Sequence, residues 1–146
     1  MAQNASLASA SPVLELVSEN HDAKDYLVRK DGLTYAGTHV LVDFWGVSDI
    51  DDVEYVAQTL RIAAETCSAT VLHVHVHEFP SSGGVSGVAV LAESHITVHT
   101  WPEIDYAAFD IFMCGDCDPL LAVPVLRRAF RPERVTVDEQ KRGLVG

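Results

Sequence analysis

Between Ala69 and Phe79 apolar and polar side chains alternate, with Leu72, Val74 and Val76 on one face and Val71, His73, His75 and His77 on the other. Period two over that length predicts a strand. Thr38–Phe44 is β-branched and apolar, predicting another strand that Gly46 ends. Asp51 and Asp52 then stand where negative charge favours a helix start, and Val53, Val56, Ala57, Leu60, Ala63, Ala64 and Cys67 recur at helical spacing. Downstream, Pro80–Gly84 reads as a loop, and Val85–Leu91, His95–Trp101 and Tyr106–Phe112 read as three closely spaced strands. Asp118-Pro119 opens a second helix through Phe130, with Pro119 in the first turn and Pro124 inside, and Val135–Val137 closes as a short strand. Short connections imply antiparallel pairing. The expected fold is α/β of the α+β type: a two-layer sandwich with a mainly antiparallel sheet and its helices on one face.

Residues 1–36 show no sustained period, so they read as an N-terminal extension, partly mobile, ahead of one domain spanning 37–146. The length of 146 residues suits a single core. A formal net charge of −11, with ten Lys and Arg, argues against a nucleic-acid partner; it suits a cationic small substrate, although charge alone is more simply read as keeping the protein soluble. No apolar run reaches the ~20 residues of a membrane span. The start, Met1 to Leu7, lacks the basic and apolar regions of a signal peptide, so a cytoplasmic protein with no membrane partner is expected. Three cysteines, Cys67, Cys114 and Cys117, are too few and too oddly numbered for a secreted disulfide framework.

The chemistry concentrates in Gly84–Glu103, where Glu93-Ser94-His95 stands between two apolar runs, followed by Tyr106–Cys117. From about Gly37 to Arg134 the chain resembles the prokaryotic S-adenosylmethionine decarboxylases, proenzymes that cut themselves to make a pyruvoyl cofactor. The resemblance implies cleavage between Glu93 and Ser94, giving a β chain of residues 1–93 and an α chain of residues 94–146. On that reading Ser94 becomes the pyruvoyl group, His99 is the processing acid/base, Ser86 assists processing near the reacting carbonyl, and Cys114 is the proton donor of turnover. The cofactor would condense with the substrate amine as a Schiff base and accept the electron pair left by carbon dioxide. The implied product is the aminopropyl donor for spermidine synthesis, and the implied assembly is a homodimer of processed αβ protomers. Ser94 and His99 differ by five positions and so face opposite sides of a regular strand. A bulge or sharp bend beside Ser94, or a share of the role for His95, is therefore expected.

For S-adenosylmethionine, Phe79 is placed by the resemblance where it stacks on adenine, with Trp101 and Glu103 as further pocket candidates; core packing is the competing reading of the two aromatics. The pyruvoyl machinery is separate from the pocket, so arginine or ornithine is the alternative substrate. Cys114-Gly-Asp-Cys117 also fits a thiol–disulfide motif, but that leaves the Glu-Ser-His block unexplained. A non-enzyme alternative is an unprocessed metal- or partner-binding module built on His73, His75 and His77 and on the Cys114–Cys117 pair. Neighbours in that stripe would lie about 7 Å apart, too far for all three to share one ion easily, and no metal site is expected.

Overall fold

The computed structural model describes residues 25–146; the first 24 residues of the expected extension lie outside the described residues. Two short strands come first, β1 (Val28–Lys30) and β2 (Leu33–Tyr35), paired antiparallel as a hairpin. Next are β3 (Gly37–Trp45), α1 (Val53–Thr66), β4 (Val71–Glu78), β5 (Val85–Leu91) and β6 (Ser94–Trp101). The chain continues through β7 (Tyr106–Met113), α2 (Ala122–Phe130) and β8 (Arg134–Arg142). Strands β3 to β8 form one sheet in the order β4-β5-β6-β7-β3-β8, antiparallel throughout. The helices pack on one of its faces, which is the expected two-layer α+β sandwich.

Alternation along the central strands sets the two faces. Val40, Val42 and Phe44 of β3, Ile96 and Val98 of β6, and Phe109, Ile111 and Met113 of β7 are buried toward the helices. Val56, Leu60, Ala63 and Ala64 of α1 and Leu126 and Phe130 of α2 meet them. Truncating Leu60, fully buried, to alanine would cost about 2–5 kcal/mol. Asp52 caps α1, its carboxylate accepting the Tyr55 N–H at 3.1 Å, as the acidic pair in the sequence implies. The opposite sheet face carries no helix, and all six histidines among the described residues belong to strand positions pointing to it or along its edge strand β4.

The β1–β2 hairpin lies inside the expected, partly mobile extension, and three further elements differ from expectation. Alternation in β4 is interrupted by a register shift between Val71 and His73, which leaves Leu72 63 % exposed while Val71, Val74 and Val76 all pack on the core. A bulge of this kind reverses the facing of a strand at one residue. The second helix starts later, because Pro119–Leu121 forms a separate 3-10 turn capped by Asp118 before α2 begins. Strand β8 runs for nine residues rather than three. Among the described residues no helix is long and apolar enough to cross a membrane.

Candidate active site

Strands β5 and β6 are joined by the two residues Ala92 and Glu93, with Leu91 paired to Ser94 across the turn. Glu93 holds a left-handed φ of +62°. Turns with positive φ at the second central residue normally place glycine or asparagine there. A glutamate in that conformation stores roughly 1–2 kcal/mol. The strain lies at the residue whose carbonyl precedes Ser94.

Two side-chain groups converge on that peptide. Ser94 is 8 % exposed, and its Oγ lies 3.9 Å from Cys114 Sγ. The Cys114 thiol donates to the Glu93 carbonyl oxygen at 3.2 Å. Cys114 reaches this point because β7 ends at Met113 and the chain turns, Gly115 adopting φ +59°. The arrangement suits attack by Ser94 Oγ on the Glu93 carbonyl, with the thiol hydrogen-bonded to the oxygen on which negative charge would develop. Sequence reasoning gave Cys114 a role in turnover alone; its contact with this carbonyl was not visible there.

Ser86 and His99 form a second cluster. They are direct cross-strand partners on β5 and β6, with Ser86 Oγ 2.9 Å from His99 Nδ1. Both face the uncovered side of the sheet, above a shallow hollow of about 250 Å³ that His75, Val88 and Thr97 also line. Strand β6 pairs with both neighbours without a register shift from Ser94 to His99. Glu93 does supply a sharp bend beside Ser94, yet the strand beyond it is regular. His99 therefore lies about 16 Å along the strand from Ser94 and on the other face. His95 shares that face, its ring stacked on Phe112 at 5.8 Å and edge-on to His39 at 6.2 Å. Burial, followed by the neighbouring His39, holds the His95 pKa below its usual value.

The substrate-binding candidates fall at the His99 end. Trp101 is 40 % exposed, with its ring 6.3 Å from His99 and 5.2 Å from Tyr106. Phe79 is 44 % exposed and meets the His77 ring at 4.9 Å, so neither aromatic is core packing. Glu103 is exposed in the short 3-10 turn after β6. Sequence reasoning missed Tyr106, Asp43 and Trp45, which extend this surface. Tyr106 Oη donates to the Asp43 carboxylate, burial first and that bond second pushing the phenol up to about 12. Their signal was the odd-numbered polar and aromatic positions of β3 and the even-numbered ones of β7.

The two cysteines of the CxxC motif point to different acceptors: Cys117 donates to the Ser68 carbonyl at 3.5 Å, and none of the three cysteines is joined in a disulfide. Burial, with Asp118 and Cys117 nearby, pushes the Cys67 thiol up to about 12, so it stays protonated and unreactive at neutral pH. In the histidine stripe the His73 and His75 rings stack at 6.5 Å. Among the described residues no three His, Cys, Asp or Glu side chains gather where they could hold one metal ion.

The profile of S-adenosylmethionine decarboxylase matches residues 38–143. An S-adenosylmethionine decarboxylase proenzyme of Thermomicrobium roseum is 44% identical over 110 residues, covering 75% of this chain and 95% of that protein. One from Methanococcus vannielii is 45% identical over 112 residues, covering 75% and 91%. The crystal structure of the adenosylmethionine decarboxylase from Aquifex aeolicus superposes with a TM-score of 0.67 at 32% identity, covering 77% of this chain and 94% of that one.

Proposed function

The chain belongs to the S-adenosylmethionine decarboxylase family, and from that premise we propose that it is a cytoplasmic proenzyme which cuts itself between Glu93 and Ser94. The processed protein converts S-adenosylmethionine to S-adenosyl 3-(methylsulfanyl)propylamine and carbon dioxide, supplying spermidine synthesis. The observation that carries the reading is the meeting of the Ser94 hydroxyl and the Cys114 thiol on a peptide whose preceding residue is held at φ +62°.

Cleavage uses the chain's own groups. Ser94 Oγ adds to the Glu93 carbonyl carbon as its proton passes to a base, and Cys114 hydrogen-bonds the resulting oxyanion. The carbon–nitrogen bond then breaks, leaving an ester between Glu93 and the Ser94 side chain and a free Ser94 amine. A base removes the Ser94 Cα proton, and the ester leaves as the Glu93 carboxylate. The remaining dehydroalanine isomerises and takes up water, losing ammonia to give a pyruvoyl terminus. Relief of the strain at Glu93 favours the first step.

The pyruvoyl keto group supplies an electron sink for the departing carbon dioxide. Its origin at Ser94 leaves it beside Cys114, whose thiol then serves a second time by delivering a proton to the former α-carbon. Phe79, Trp101 and Glu103 are the proposed contacts for the adenosyl group, the aromatics offering flat faces to the base.

His99, with Ser86 fixing its ring, is the proposed acid/base of cleavage. It cannot reach Ser94 of its own chain along a regular strand. We infer that two copies pair so that the Ser86–His99 cluster of one protomer serves the Ser94–Cys114 end of the other, an exchange that two-fold symmetry makes reciprocal. Each homodimer then holds two composite sites, with the acid/base and the adenosyl contacts supplied together.

The substrate is tested with carboxyl-labelled compounds. The processed protein should release labelled carbon dioxide from S-adenosylmethionine and little from arginine or ornithine. A preference for either amino acid would keep the cleavage chemistry and overturn the substrate.

A further inference from the structure

The segment Asp25–Ala36 precedes the span shared with the family, which begins at residue 38, yet it packs on the turn that carries Cys114. The Gly115 N–H donates to the Tyr26 carbonyl at 2.7 Å. A Cβ added at Gly115 would lie 3.7 Å from the Tyr26 ring and 3.8 Å from its backbone, so the two stretches are in close contact. Tyr26 borders a cavity of about 360 Å³ together with Ser68, Thr70, Ala92, Cys114, Asp116 and Cys117.

The segment is anchored. Tyr35 is 1 % exposed, the Ala36 N–H donates to the Arg142 carbonyl at 2.8 Å, and the Val145 N–H donates to the Thr34 carbonyl at 2.9 Å. An Asp31-Gly32 turn, both residues at positive φ, closes the hairpin between β1 and β2. Tyr26 is thus presented to the Cys114 turn from a structured base.

We propose that this segment is a working part of the decarboxylase site: Tyr26 walls the cavity onto which Cys114 opens, and the Tyr26 backbone positions the turn bearing that thiol. The proposal rests on Cys114 being the proton donor. A donor must come within hydrogen-bond reach of the carbon it protonates. The cavity that Cys114 borders therefore receives the substrate atoms around that carbon, and Tyr26 in its wall limits their shape. Tyr26 is a specificity-determining residue on this view, set outside the span that the family profile matches.

The test compares full-length wild type, Tyr26→Ala, Tyr26→Leu and Tyr26→Phe by steady-state kinetics with S-adenosylmethionine and by the rate of Cys114 alkylation with iodoacetamide, mapped by peptide mass. Tyr26→Ala and Tyr26→Leu should raise KM about fivefold with kcat within about twofold of wild type. Alkylation of Cys114 should be several-fold faster in Tyr26→Ala, and Tyr26→Phe should restore both values. Wild-type KM and wild-type alkylation in both Tyr26→Ala and Tyr26→Leu would overturn the proposal. Faster alkylation in Tyr26→Ala, from a wild-type protein that decarboxylates nothing, would uphold the wall at Cys114 and refute the decarboxylase reading instead.

Discussion

In the proposed self-cleavage, Glu93 and Cys114 are the single residues that prepare the scissile peptide. The first is held at φ +62°, and the second donates to its carbonyl oxygen. Glycine at position 93 adopts that conformation without strain. Glu93→Gly should therefore stabilise the intact proenzyme and slow self-cleavage about tenfold, read as the fraction cut against time on denaturing gels. The family resemblance proposed Ser94, His99 and Cys114 for the chemistry, but not their distances. The contact between Cys114 and the Glu93 carbonyl joins residues 21 positions apart and depends on where β7 ends, which no local pattern encodes.

At the scale of elements, β6 carries both halves of the proposed chemistry, Ser94 and His99, and keeps them apart. Its outward face also holds His95 against His39 and Phe112, with Asp110 on the adjacent strand. Because burial lowers the His95 pKa, the unfolded chain takes up that proton first as pH falls. The stability this group contributes is complete above the ordinary value of 6.5 and is lost as pH drops through the lower folded-state value. Thermal melts between neutral and mildly acidic pH should show Tm falling below 6.5, and His95→Gln should flatten that part of the profile.

The central strands and α1 were legible because they alternate or recur cleanly between a core and a polar face. Strand β8 was read too short: it pairs with β3 alone and is mostly exposed, so its Asp-Glu-Gln-Lys-Arg run carries no apolar period. The hairpin of β1 and β2 was missed for want of length, although Asp31-Gly32 was a usable turn signal.

For the whole molecule, the proposed pair of protomers completing each other's sites would account together for the uncovered sheet face and the separation of Ser94 from His99. Assembly is not encoded in any one chain's periodicity, so the spacing of five positions read only as a geometric conflict. Intact-mass spectrometry resolves it when applied to wild-type protein and to co-expressed Ser94→Ala and His99→Ala chains. The account predicts that wild type appears as residues 1–93 and a pyruvoyl-started 94–146. It also predicts that each variant alone stays whole, and that in the mixture the His99→Ala chain is cut because its partner supplies His99. A wild-type chain that remains whole after prolonged incubation would contradict self-cleavage, and a mixture in which both variants stay intact beside a cleaved wild type would contradict the shared site.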